Sequence, residues 1–377
     1  MLQQDQKLSI VSASFLGNGV IIRCNVIDTL EKAKELDSFL RTLPLKSDRV
    51  SSLQLNSPEH EWGLIQAQHR FLAKLRIPAA HLVFPLDQPI VPDIPKSELS
   101  MRSTIKICRL LNTEGWLIYS NWLNQDVEAL LKTFKPEALD EYQLQAILED
   151  LGHECRSVFL NDCLETLKVL QKRMEADDSF QLEKEAVWIR EQLKRFLKTH
   201  YTIFCSIVLG IDSIKESHPE LLELREKVFL LKLLVGSELD ELSLDLMQKI
   251  MILQLLDQNL RVITCLNCDS GRERACFGFS IRSAIANIKS KDLVDTILHW
   301  KDCVKHANLG IKNEIVSLFQ RDFLEMLGET LLPLKISKGF VLNSDLLYLL
   351  PQSLIEYNPK TGEPVSFKPT AYRTLIH

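Results

Sequence analysis

No run of about 18 uncharged apolar residues occurs in the 377-residue chain, so no transmembrane helix is expected. The first residues, M-L-Q-Q-D-Q-K-L, lack a basic segment followed by an apolar core, so no secretory leader is expected either. No lysine- and arginine-rich block stands out and the net charge is −5, which makes nucleic acid a poor candidate partner. The G-x-S-x-G elbow of serine hydrolases and the G-x4-G-K-[ST] nucleotide loop are both missing, as is any internal repeat. Cysteine is present but not in a paired framework. Nine of them, an odd number without regular spacing, point to reduced thiols and a cytoplasmic location. Cys265 and Cys268 form one C-x2-C, and no second such pair or H-x3-H completes a zinc site, so neither a metal nor another cofactor is expected.

What is present is a globular balance of 46% apolar and 25% charged residues, enough for one large domain or two ordinary ones. The pattern predicts an α+β fold, predominantly α-helical, with a long helical bundle packed on a small sheet. Residues 1–96 read as an α+β region. Two alternating runs, Leu8–Leu16 and Val20–Ile27, flank Gly17-Asn18-Gly19 and predict a hairpin. Thr29–Leu43 predicts a helix capped by Asp28 or Thr29, Lys46–Asn56 a polar loop, and Ser57-Pro58 the start of a helix running to about Leu75. His81–Phe84 reads as a short strand. Pro85–Lys96 reads as a proline-rich connector.

Residues 97–236 read as a helical bundle, with a brief strand at Trp116–Tyr119. The helices expected are Asp140–Ala176, Phe180–Leu209 and one from Pro219 to Val235. Residues 237–357 read as a core that opens with a helix over Ser237–Asn259, capped by Ser237 or Asp240. An apolar strand, Val262–Leu266, leads into Cys268. Further helices are expected at Cys276–Ile288, Asp292–His306 and Lys312–Leu327, and a short one at Asp345–Pro351. Residues 358–377 read as a loosely held polar tail.

The chain is organised around R-V-I-T-C-L-N-C-D-S-G-R-E-R-A, Arg261–Ala275. A strand, a short loop opened by Cys268 and closed by Arg274, and a helix would bring a thiolate to a phosphate. Loop N–H groups and the helix N-terminus favour an anion, and the arginine clamps two oxygens. The same field favours the thiolate and makes the cysteine a nucleophile. Ser270 and Gly271 are small, as a backbone that must approach a phosphate requires. Cys276 and Arg282 repeat the C-x5-R spacing, but C-F-G-F-S-I-R is apolar and falls within a predicted helix, so it cannot cradle an anion. The alternative for the first motif is a strand-to-helix turn with a core cysteine.

N-C-D-S-G-R-E-R-A resembles the N-C-K-S-G-K-D-R-T loop of cysteine-dependent phosphoinositide phosphatases. These include the inositol polyphosphate 4-phosphatases and related phosphatases that pathogenic bacteria deliver into host cells. Asn267, Cys268, Ser270, Gly271 and Arg274 are identical, and Arg272 and Glu273 replace Lys and Asp. Leu332–Ser344 is loosely similar to the glycine-bearing segment that follows this loop. The resemblance implies a phosphocysteine intermediate on Cys268, phosphate held by Arg274 and the Ser270-Gly271 backbone, and a contact from Arg272. It implies a phosphoinositide headgroup or inositol phosphate as substrate, peripheral membrane contact, and, for an effector, action in the host cytosol or at its membrane surface. Glu273 or Asp269 could be the general acid, although for Glu273 a salt bridge to a neighbouring helix is the plainer role. Lys335 and Lys338 could supply headgroup charge or be solvated loop lysines. His200, His218 and His306 are assigned no role. Two departures stand out. Asp269 replaces a Lys and places a carboxylate beside the cradle. Ala275 replaces a Thr whose hydroxyl helps the thiolate leave the phospho-enzyme. Both leave open a catalytically impaired relative that binds phosphoinositides or acts as a helical interaction module.

Overall fold

The central strand of the sheet arrives late in the chain. The computed structural model describes residues 7–16, 19–44, 47–77, 79–85, 98–133, 179–212, 219–269, 273–287, 293–299, 355–357 and 364–367. Strands β1 (Ile10–Leu16) and β2 (Gly19–Asn25) form the antiparallel hairpin. Helix α1 (Leu30–Thr42) follows, its Thr29 side chain accepting from the Lys32 N–H. Then come β3 (Val50–Gln54), α2 (Pro58–Leu72) and β4 (Ala79–Val83). Helices α3 (Glu98–Thr133), α4 (Ser179–Asp212), α5 (Pro219–Glu238) and α6 (Leu246–Leu260) lead to β5 (Ile263–Cys268). After it come α7 (Glu273–Asn287) and α8 (Leu293–Leu298).

The sheet order is β1-β2-β5-β3-β4. β2, β5, β3 and β4 run parallel. All six residues of β5 are buried, which is why its sequence reads as an almost unbroken apolar run. One face carries Ile22, Cys24, Val50, Ile263 and Cys265 against Leu36 and Leu40 of α1 and Leu72 of α2. The other carries Ile21, Leu53, Leu82 and Leu266 against α3 and α5–α7, with Trp116 and Tyr119 fully buried. The chain is thus predominantly helical, with helices on both faces of a small sheet. Strands from residues 1–96 and β5 from the 237–357 segment share that sheet, and α3 covers one of its faces.

Several expectations need correction. Val50–Gln54 lies inside the predicted loop Lys46–Asn56 and is a fully buried strand. Its serines and glutamine look like loop chemistry, but they are hydrogen-bonded inside the sheet: Ser51 Oγ to Thr264 Oγ1 at 3.2 Å and Ser52 Oγ to Asn267 Oδ1 at 2.8 Å. Trp116–Tyr119 is helical, in α3; a short apolar run cannot separate buried helix from buried strand. The predicted helix Ser237–Asn259 is two pieces. α5 runs on to Glu238, Asp240 adopts φ 61°, and α6 restarts at an Asp245–Gln248 capping box. α7 begins at Glu273 rather than Cys276. Within the expected tail, Pro364–Phe367 (β7) pairs antiparallel with Ile355–Tyr357 (β6). The expectations for Pro85–Lys96 beyond Pro85, Asp140–Ala176, Lys312–Leu327, Leu332–Ser344 and Asp345–Pro351 lie outside the described residues. Among the described residues no helix is long and apolar enough to cross a membrane.

Behind the sheet, Arg282 of α7 is fully buried and paired with Asp257 of α6. Tyr119 donates to the same carboxylate at 2.6 Å and Thr264 at 2.8 Å. Removing one partner of a buried pair leaves an uncompensated charge. Arg282→Leu is expected to destabilise the fold by about 3–5 kcal/mol, measured by urea unfolding, with Asp257→Leu/Arg282→Leu less destabilised than the single change.

Candidate functional site

Strand β5 ends at Cys268, and the direction in which the chain leaves it sets the site. β2 leads to α1 and β3 to α2, both on one face, whereas β5 leads to α7 on the other. The C-terminal ends of these three adjacent strands therefore meet where the topology switches sides, the usual position for a ligand in an open parallel sheet.

Asn267 fastens the strand ends together. Its Nδ2 donates to the Asn25 carbonyl and to Cys24 Sγ, each at 3.1 Å. Its Oδ1 accepts from Ser52 Oγ and, at 3.3 Å, from Gln68 Nε2. Its backbone carbonyl accepts from the Leu55 N–H at 2.9 Å. One side chain thus links β2, β3, β5 and α2 next to the cysteine. Cys268 is 2% exposed and not in a disulfide.

Arg274 lies in the first turn of α7 and is 7% exposed. Its end-on edge grips Glu61 of α2, with Nη1 and Nη2 each 2.5 Å from a carboxylate oxygen, and Nη1 also donates to the Leu55 carbonyl at 3.3 Å. Glu61 is itself fixed by the Ser57 N–H and by Asn56 Nδ2, both at 2.8 Å. Helix α2 leaves helical geometry at Glu61 (φ −124°, ψ 26°), and there the carboxylate meets the Ser57 N–H. Burial alone would raise the Glu61 pKa. The hydrogen bonds and charge of Arg274, with Ser57 and Asn56, outweigh it and hold the carboxyl below its ordinary value. Burial likewise opposes the Arg274 charge. Glu61 foremost, then Cys268 and Asp269, reverse this and raise the arginine above its ordinary range. Arg274 is therefore close enough to Cys268 and to Asp269 to be influenced by both.

Compared with family models, with curated proteins and with solved structures, this chain matches none.

Of the residues singled out from sequence, Cys268 and Arg274 are brought together, Asp269 is exposed beside them, and Ala275 is fully buried. Glu273 is the first residue of α7. Ser270, Gly271, Arg272, Lys335 and Lys338 lie outside the described residues, as do His218 and His306. His200 is a core histidine between Phe196 and Phe204; burial lowers its pKa to about 4. Among the described residues, no group of three or more His, Cys, Asp or Glu is placed to hold a metal. Glu61 was not legible as a site residue. It sits four residues after the Ser57 cap, where an acid in the first turn is ordinary helix chemistry.

The Glu61–Arg274 geometry leaves one edge of the guanidinium unassigned. Five N–H groups are available. Glu61 takes one from each terminal nitrogen, and Leu55 takes the second on Nη1. Among the described residues no hydrogen bond occupies the side-on edge, formed by Nε–H and the outer N–H of Nη2. That edge can receive two oxygens of an oxyanion without breaking the ion pair.

Because the folded-state pKa of Glu61 is depressed, its stabilisation is complete above the ordinary value of 4.5 and fades as pH falls below it. Glu61→Gln is expected to lose about 1–3 kcal/mol at pH 7. Its stability should also decline less steeply than wild type from about pH 5 downward, read from urea melts across pH.

Proposed function

We propose that the chain is a phosphoinositide or inositol-phosphate phosphatase that works through a Cys268 phosphocysteine. The observation that carries this reading is the placement of Cys268 at the end of the central parallel strand, beside a carboxylate-anchored Arg274 in the first turn of the next helix. Arg274 and the N-terminal end of α7 favour a thiolate there.

In this reading Cys268 Sγ attacks phosphorus in line and the ester P–O bond breaks. The departing ring oxygen takes a proton from Glu273 or Asp269. Water then attacks the phosphocysteine and gives a proton to the same carboxylate. The S–P bond breaks, returning the thiolate and releasing inorganic phosphate. The side-on edge of Arg274 holds the equatorial oxygens, whose charge is spread in the transition state. Arg272, Lys335 and Lys338 are the candidates for further ring phosphates. A lipid headgroup would be met at a membrane surface and a soluble inositol phosphate in the cytosol.

A second reading, a catalytically impaired relative that binds phosphoinositides, is favoured by Ala275. It is fully buried where the resembled loop has a hydroxyl, so no side chain at that position can assist the leaving thiolate.

Phosphate release from phosphoinositide vesicles and from soluble inositol phosphates tests both. Wild type is expected to release phosphate, Cys268→Ser none, and Arg274→Lys at least about a hundredfold less. Release that survives Cys268→Ser would refute the phosphocysteine. Binding without release by wild type would support the second reading, with Asp269→Lys/Ala275→Thr expected to restore turnover.

A further inference from the structure

A chain of hydrogen bonds runs from the Arg274–Glu61 pair through β3 to the middle of the edge strand β4 and on to α2. Asn56 Nδ2 donates to Glu61 Oε1 at 2.8 Å. Gln54 Nε2 donates to Asn56 Oδ1 at 3.1 Å. Gln54 Oε1 lies 2.9 Å from His81 Nε2, and His81 Nδ1 lies 3.2 Å from His69 Nδ1. His69 Nε2 is 3.3 Å from Glu114 Oε2. Gln54, Asn56 and His81 are each at most 3% exposed, so water does not supply alternatives.

The direction of every bond follows from one end. Ionised Glu61 only accepts, so Asn56 must present its NH2 there and its carbonyl to Gln54. Gln54 must then donate to Asn56 and accept from His81. The His81 proton is therefore on Nε2, its Nδ1 is a lone pair, and His69 must donate from Nδ1. We propose that His69, His81, Gln54 and Asn56 form a polarised relay of positioning residues that locks Glu61, and through it the pose of Arg274. Burial, and then the neighbouring His69, push the His81 pKa well below its ordinary value, so a ring with one proton and one lone pair is the expected form. The Nε2 side of His69 faces Glu114 of α3 at the outer end of the relay. The functional consequence rests on Arg274 holding phosphate; the relay itself does not.

Replacing Glu61 by Gln tests the direction. At the Oε2 position the new NH2 faces two donors, the Ser57 N–H and Arg274 Nη1. At the Oε1 position it faces Arg274 Nη2 and Asn56, and Asn56 can relieve its conflict by rotating its amide. That rotation turns Gln54 in the same sense and leaves an NH2 facing His81 Nε2.

Nitrogen NMR of the imidazoles in the full chain is then expected to show His81 protonated on Nε2 in wild type and on Nδ1 in Glu61→Gln. Wild-type His81 found with its proton on Nδ1, or a Glu61→Gln spectrum with the proton still on Nε2, overturns the relay. Should Glu61→Gln fail to fold, Gln54→Met cuts the same path. It should let both His81 tautomers populate, and an unchanged His81 signal overturns the proposal. Gln54→Met should also weaken orthovanadate binding about two- to a hundredfold, the span of couplings within one hydrogen-bond network. Unchanged orthovanadate affinity in that variant overturns the positioning role. A wild type that binds no orthovanadate counts against the phosphatase reading alone, and the His81 tautomers then decide the relay.

Discussion

The bidentate contact between Arg274 and Glu61 joins two helices that lie on opposite faces of the sheet. The sheet separates the apolar faces of α2 and α7, and this contact ties the two helices directly at the end of β5. Desolvating two charges costs several kcal/mol each, and the loss is offset only where geometry is good and remaining valences are filled. Here Ser57 and Asn56 complete the carboxylate, and the Leu55 carbonyl takes a third arginine proton. The pair is thus a brace across the strand ends, and it fixes one guanidinium edge so that the other has a defined direction.

The same economy of partners extends into the sheet. Ser51, Ser52, Gln54, Thr264 and Asn267 are all buried, in strands where apolar residues would fit. Each finds a specific partner on a neighbouring strand or helix: Ser51 on Thr264, Ser52 and Gln68 on Asn267, Gln54 on Asn56 and His81. Such groups contribute little net stability when satisfied and cost about 1–3 kcal/mol each when not. Their effect is on register. A one-residue slip of β3 against β5 would strand Ser52 and Asn267 together, so the polar contacts discriminate against misaligned pairing more strongly than the apolar ones do.

That polar middle is also why the fold was only partly legible. The hairpin, α1 and the β5–α7 unit each carry a local signal: turn residues, a threonine cap, an apolar run before a cysteine. β3 carries none, since V-S-S-L-Q has the composition of a loop and becomes a strand only by pairing with β4 on one side and with β5 on the other, the second more than 200 residues away. The same holds at the site. Cys268 and Arg274 are six positions apart and could be read as a pair. Glu61, 213 residues from Arg274, is visible only once the sheet has brought β3 and β5 side by side. Periodicity records which face a residue shows, not which distant residue meets it.

Two C-x5-R motifs follow each other almost end to end, the first running from β5 into α7 and the second lying within α7, and their arginines show why spacing alone carries no chemistry. Both guanidinium groups are buried and both pair with a carboxylate. Arg282 spends its side-on edge on the protein: Nε donates to Gln254 at 2.6 Å, and Nη2 to Asp257 and Thr264. What is left on Arg282 is Nη1, buried without a hydrogen-bond partner among the described residues, and its two N–H groups diverge from one nitrogen, so they do not form the parallel pair that a bidentate oxyanion contact needs. Arg274 is anchored from the opposite edge, through Nη1 and Nη2, which keeps the Nε side aligned for a bidentate contact. Nor does Cys276 end a strand; it lies inside the helix, where its position belongs to a continuous run of backbone rather than to the open end of a sheet. The distinction between a structural arginine and one that can bind an oxyanion therefore rests on which edge the protein has already taken.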